Sequence, residues 1–184
     1  MMKNVIYNEF PIQTYRLYVK KIEIEELLAI RNNTTYEEEN RMTCRPIIKR
    51  NEIELKEFYD KILKNDNIVI FSIIRKLDGI LLGKISFSDY NLKNNSIEIG
   101  YYLIREFRGN GYMKEAIKYV CDILFNQVKL NKIYAQTASF NYQSINMLKS
   151  LNFKKDGVLR EHHELNGEMY DDYIFSILNK EFKW

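Results

Sequence analysis

Apolar residues recur along most of this chain at one of two spacings, and the switches between them divide it into elements. Residues 12–20 are β-prone, with Thr14, Tyr15, Arg16, Leu17, Tyr18 and Val19 in a row, and predict a strand. Over residues 22–32, Ile24, Leu27, Leu28 and Arg31 fall in helical phase before Asn32-Asn33-Thr34-Thr35 breaks the pattern. Residues 36–50 are polar without a period and are expected as a mobile loop on the substrate side. Asn51 is placed to cap a second helix with Ile53, Leu55, Phe58, Ile62 and Leu63 inward. Strands follow at 68–75 and 80–90, joined through Asp78-Gly79, and at 96–104 after Lys93-Asn94-Asn95. Met113, Ala116, Ile117, Val120, Cys121, Leu124, Phe125 and Val128 then mark one face of a long helix. A strand at 132–138 and a short helix at 141–151, with Ile145, Leu148 and Leu151 inward, come next. The last two strands, 153–160 and 169–178, flank the hairpin signal Leu165-Asn166-Gly167-Glu168. The order β-α-α-β-β-β-α-β-α-β-β predicts an α/β (α+β) chain with a single mixed, mostly antiparallel sheet and flanking helices.

A length of 184 residues suits one domain over residues 1–184, with 46% hydrophobic and 29% charged residues, ordinary for a globular protein. The longest apolar stretch, Ile68 to Ile74, suits a buried strand, so no membrane partner is expected. Two cysteines cannot make a disulfide framework: Cys121 falls on the apolar helix face, Cys44 reads as a free thiol, and a cytoplasmic location is the simplest. A net charge of +3 without a clustered basic patch argues against nucleic acid as a partner. The 14 tyrosines are scattered, mostly in strand patterns, rather than arrayed as a stacking surface.

The segment most suggestive of chemistry is Arg108-Gly109-Asn110-Gly111-Tyr112-Met113, between the strand ending at Ile104 and the long helix. Unpaired first-turn N–H groups and the helix dipole favour an anion there, glycines let it approach the backbone, and Arg108 adds a cation. There is no G-x-x-x-x-G-K-[ST], and Lys114 stands where a G-x-G-x-x-G loop needs its third glycine. What fits is R-x-x-G-x-[G/A], with Arg108 first, Gly111 fourth and Met113 departing from the last position. This resembles the pyrophosphate loop of the GNAT acetyltransferase superfamily, and the order of elements resembles that superfamily along nearly the whole chain. Its ribosomal-protein N-acetyltransferase branch is similar in further places. These are Thr14 to Lys20, Glu98-Ile99-Gly100-Tyr101, Gly111 to Ala116, Asn141 to Ser144 with Leu151-Asn152-Phe153, and Asn166-Gly167 with Asp171.

The resemblance implies a GNAT fold whose central strands, those ending at Ile104 and Ala138, splay apart to admit acetyl-CoA, with transfer to a primary amine. Leu103 and Ile104 would offer backbone groups to the pantetheine. Arg108, Gly109, Asn110, Gly111, Tyr112, Met113 and Lys114 would hold the pyrophosphate. Asn141 would cap its helix and face the cofactor. Many members carry a Tyr donor seven residues after this Asn; here that position is Leu148, and Ser144 takes its place as partner of the leaving thiolate. The base is Glu98, acting through a water, or a member of the His162-His163 pair, of which alternation lets only one face the site, with His163 the candidate. No metal is expected, because H-H with flanking Glu lacks ligand spacing such as H-E-x-x-H. The acceptor would be a small amine or a protein N-terminus. Around its mouth Glu37, Glu38, Glu39, Glu161, Glu164, Glu168, Asp171 and Asp172 outnumber Arg41, Arg45, Lys49 and Arg160, which predicts a preference for cations. A non-catalytic acyl-CoA-binding domain on the same fold is the alternative.

Overall fold

The computed structural model describes residues 2–183. The elements run α1 (Met2–Asn8), β1 (Ile12–Gln13), β2 (Leu17–Lys21), α2 (Ile24–Asn32), α3 (Tyr36–Met42), α4 (Glu52–Lys64), β3 (Val69–Arg75), β4 (Leu81–Asn91), β5 (Ser96–Leu103), α5 (Tyr112–Asn126), β6 (Lys132–Ala138), α6 (Tyr142–Ser150), β7 (Lys154–Leu165) and β8 (Glu168–Leu178). Short 3-10 turns follow β5 at Arg105–Phe107 and β8 at Asn179–Glu181. The strands form one eight-stranded sheet in the order β1-β2-β3-β4-β5-β6-β8-β7. Every neighbouring pair is antiparallel except β5 and β6.

Alternation along the strands gives the sheet two unlike faces. Ile97, Ile99, Tyr101 and Leu103 of β5 share a face with Ile85 and Phe87 of β4 and Phe71 of β3. The apolar stripe of α5 (Met113, Ala116, Ile117, Val120, Cys121, Leu124, Phe125) packs into this main core together with Ile145 and Leu148 of α6. Phe71, Phe87, Phe125 and Phe175 are fully buried there. Each such side chain contributes on the order of 2 kcal/mol by its removal from water. The opposite face carries Glu98, Gly100 and Tyr102 and is covered by α2 and α4 through a smaller cluster of Ile22, Leu27, Ile30, Ile70 and Ile104.

Four expectations need correction. The single strand over 12–20 is broken: Thr14 and Arg16 leave the ladder to bind Glu115 on α5. The loop expected over 36–50 begins with a helix, α3, capped by Thr35, whose Oγ1 accepts from the Glu38 N–H at 3.2 Å. α3 has no buried residue, which is why no periodicity announced it. In α4, capped by Asn51 as expected, Ile53 faces solvent, and only one flank (Tyr59, Ile62, Leu63) meets the smaller cluster. Strand β7 runs on to Leu165 through an irregularity between Leu159 and His163. The hairpin signals hold: Asn166 and Gly167 both have positive φ (57° and 85°), the geometry of a tight two-residue turn.

Candidate active site

The site begins where the parallel pair comes apart. β5 and β6 pair only from Ser96–Lys132 to Glu98–Tyr134, yet β5 continues to Leu103 and β6 to Ala138, each held by its outer neighbour. The strands therefore splay from Ile99 and Ala135 onward. A cavity of about 780 Å³ opens in the gap, lined by β5, β6, the 108–114 turn, α6 and the end of α3. The Ile104 N–H is spent on the Leu82 carbonyl at 2.9 Å, toward β4. By alternation the N–H of Leu103 points to the opposite edge, into the gap. The Leu103 carbonyl already accepts Arg108 Nε at 2.9 Å.

One wall is the N-terminus of α5. Gly111 is its N-cap, in the left-handed region at φ 76°, and offers no side-chain cap, so the first-turn amides face the cavity unsatisfied. Gly109 is left-handed too, at φ 80°, and a Cβ built there would meet nothing within 4 Å. The turn is braced from behind by Arg16. Its guanidinium lies 4.5 Å from the Tyr112 ring centroid, donates to the Asn110 carbonyl at 3.0 Å, and pairs with Glu115 at 2.6 Å. Glu115 also accepts from Thr14 Oγ1 (2.5 Å) and the Arg16 N–H (2.7 Å). Burial pushes the Glu115 carboxyl up, but the bonds from Thr14 and Arg16 outweigh it and hold the group below its ordinary range. The opening strand and the helix start, seen as separate motifs in the sequence, are thus one bonded unit.

On the α5 side of the gap, the Tyr101 hydroxyl and Ser144 Oγ lie 2.7 Å apart. Asn141 caps α6 by accepting from the Ser144 N–H at 3.2 Å, which sets Ser144 at the first turn, pointing at β5. Burial pushes the Tyr101 phenol up to about 12, against a small opposing effect of Ser144. Leu148 is fully buried in the core and takes no part in the cavity.

On the opposite face stand a carboxyl and an imidazole. Burial first, and the Asp89 charge second, push the Glu98 carboxyl above its ordinary range, against the pull of Arg45. His163 is buried, whereas His162 is exposed, as alternation requires. The His163 Nδ1 faces Asp172 Oδ1 at 3.4 Å, and its Nε2 has no hydrogen-bond partner. Asp172 is fixed in turn by Gln136 Nε2 at 2.6 Å. The irregularity in β7 brings this about: four steps from Leu159 to His163 oppose two from Asp172 to Tyr170, which slides His163 level with Tyr170.

Glu98, Ser144, His163, Leu103, Arg108, Gly109, Gly111, Tyr112, Met113, Lys114 and Asn141 all line this one cavity. Ile104 and Asn110 do not: Ile104 packs into the smaller cluster, and the Asn110 side chain turns back onto the Phe107 and Arg108 carbonyls. Arg108 lines the wall but is not a free cation, being ion-paired with Glu38 and stacked 5.2 Å from the Tyr102 ring centroid. In the sequence Gln136 has no assigned part, Tyr101 and Arg16 stand only within motifs, and Asp172 counts only among the acids of the mouth. Their roles depend on partners 36 to 99 residues away, which no local pattern reveals. Against the expectation of no metal, Cys44, His162 and Asp172 bring one potential ligand atom each within 4.8 Å of one another, although Cys44 and His162 are exposed and Asp172 is already engaged.

Residues 16–154, well over half the chain, match the family described as Acetyltransferase (GNAT) domain. The uncharacterized N-acetyltransferase p20 of Bacillus licheniformis is 38% identical over 112 residues, 61% of this chain and 63% of that protein. The uncharacterized N-acetyltransferase YnaD of Bacillus subtilis is 26% identical over 171 residues, 93% of this chain and 98% of that one. Among solved structures, the spermidine N-acetyltransferase from Vibrio cholerae in complex with CoA and spermine has a TM-score of 0.81 at 22% identity, covering 90% of this chain and 97% of that one. With the splayed strands, the uncapped helix N-terminus and the family match in agreement, the chain belongs to the GNAT acetyltransferase family.

Proposed function

We propose that this protein transfers an acetyl group from acetyl-CoA to the nitrogen of a primary amine, acting in the cytosol. The observation that carries the reading is the single cavity that joins an anion-binding helix end to proton acceptors across a parted sheet. The fit to CoA rests on the chain's own donors. The uncapped amides of Tyr112, Met113 and Lys114, beside two left-handed glycines, suit a pyrophosphate. The Leu103 N–H at the parted edge suits an extended pantetheine arm. Acetyl-CoA supplies an activated acyl carbon. The residues of the chain align the amine with it, exclude water and manage two protons' worth of charge.

Glu98 and His163 lie on one face of the sheet, Tyr101 and Ser144 on the other, and the gap connects them. The amine thus enters from the α2–α3 side. Glu98, its basicity raised by burial, takes the ammonium proton through a water. His163, oriented by Asp172 and with a free Nε2, is the second acceptor. On the far side the Tyr101–Ser144 pair donates a hydrogen bond to the departing sulfur. The two free thiols, Cys44 and Cys121, suit a reducing compartment. Amine-dependent release of the CoA thiol tests the proposal. Tight acetyl-CoA binding with no turnover against a broad amine panel would favour the non-catalytic alternative.

A further inference from the structure

We infer that the acceptor is a small primary amine that also carries a carboxylate, its anionic end held by Arg41 and Arg45. The inference rests on the acetyltransferase reading of the same cavity and names its substrate class. The sequence suggests an acidic mouth, and the structure keeps seven of those eight acids out of the cavity lining. Glu38 is ion-paired with Arg108 and Glu39 with Arg31. Glu164 accepts the Gly167 N–H at 2.6 Å and Glu168 accepts the Tyr170 hydroxyl at 2.8 Å, on the hairpin. Of the eight acidic residues counted at the mouth, only Asp172 lines the cavity, and it is engaged by Gln136 and His163.

The cations on the same face are left unneutralised. Arg41 and Arg45 both line the cavity, and neither forms an ion pair among the described residues. Arg41, at the end of α3, reaches across the mouth to lie 5.4 Å from the ring centroid of Phe140, which precedes α6. That aromatic ring, itself edge-on to His163 at 5.0 Å, holds the guanidinium over the opening. Arg45 lies close enough to Glu98 to act on its carboxyl. Besides the engaged Asp172, the cavity therefore presents one carboxylate for an amine, Glu98, with Arg45 near it and Arg41 over the mouth, neither guanidinium ion-paired among the described residues. Arg forks match a carboxylate in two-pronged geometry, which a neutral or polycationic amine cannot exploit. A polyamine would instead bring positive charge against both arginines.

The test uses ω-amino acids of increasing chain length, each paired with its carboxamide, and spermidine as the polycation. The expected result is that kcat/KM favours the carboxylate over the carboxamide by roughly tenfold or more at one length at least, mostly through KM, with the ratio shrinking as salt rises. In Arg41→Gln and Arg45→Gln the ratio should fall toward unity. The same pairs are titrated by calorimetry into the CoA-loaded protein, so that binding is read without turnover. Carboxylate-dependent binding without any acetylation would uphold the arginine-held carboxylate site and overturn the enzyme reading, and with it the name acceptor. Acetylation that prefers carboxamides or spermidine at every length, a preference that survives in the double variant, or binding indifferent to the carboxylate would overturn the inference alone.

Discussion

Tyr101→Phe removes one oxygen and keeps the ring in place. The lost hydroxyl is 2.7 Å from Ser144 Oγ, on a phenol whose pKa burial pushes up to about 12. An ordinary thiol titrates near ~8.5, so full proton transfer from such a phenol to the leaving thiolate would run uphill by roughly 3.5 decades, about 5 kcal/mol. On the proposed mechanism the pair would therefore act as a hydrogen-bond donor to developing negative charge and keep its proton. A hydrogen bond to a charged group is worth about 1.5–3 kcal/mol. That corresponds to a kcat loss of roughly 10- to 150-fold. Little of this should appear in CoA affinity, because the charge develops only in the transition state. Stability should fall by about 1 kcal/mol for the lost neutral bond to Ser144. If the phenol is the direct donor and Ser144 orients it, Ser144→Ala costs less than Tyr101→Phe, and the double variant costs no more than Tyr101→Phe alone. Steady-state thiol release at saturating amine, with CoA affinity measured separately by calorimetry, reads both quantities. A Tyr101→Phe enzyme within twofold of wild-type kcat, or a loss explained wholly by weaker CoA binding, would refute the reasoning.

Gly111→Val forces a β-branched residue into φ 76° beside the Arg16 guanidinium, so acetyl-CoA affinity should fall by about tenfold or more. Circular dichroism should report a folded chain and thermal shift a lost ligand response; an unchanged response would show that this turn holds no phosphate. Glu98→Gln should lower kcat/KM by about 100-fold and abolish its acid limb. In the wild type the rate rises with pH through a midpoint above the ordinary carboxylate range, because burial raises the Glu98 pKa. An acid limb that persists in Glu98→Gln but is lost in His163→Gln would transfer the proton to His163. Glu115→Gln should destabilise the fold by about 1–3 kcal/mol at neutral pH through its bonds to Thr14 and Arg16. The folded pKa of Glu115 is depressed, so its contribution is present above the unfolded value and is lost as pH falls through the folded one. Urea melts of the two proteins should accordingly converge in acid, and a constant difference down to the lowest pH would contradict the assignment.

Much of the architecture is legible in one dimension because periodicity records which face is buried. The long helix shows this best: all seven of its buried residues lie on the predicted stripe. The Asn-Gly and Asp-Gly turns are legible because few other residues accept positive φ. Gly109 and Gly111 belong to the same class, so the turn before α5 can be recognised before any fold is known. Where burial leaves no period, the sequence is mute, and α3 is the example, being a helix with both faces half in water.

Motif and periodicity set the family, the sheet and the glycine turn before α5, because these rest on local conformational preference and on the spacing of apolar residues. Tertiary structure decided which side chains meet around the cavity and what charge lines its mouth. Tyr101 meets Ser144 only because two strands part and a capped helix turns toward them. His163 meets Asp172 only because β7 carries two residues more than its partner over that stretch. Two of the glutamates that make the mouth look acidic in sequence, Glu38 and Glu39, are paired with Arg108 and Arg31, which fold in from other elements, while Arg41 and Arg45 line the cavity with no ion pair among the described residues. Charge at a site is a sum over partners in space, and a sum along the chain does not predict it.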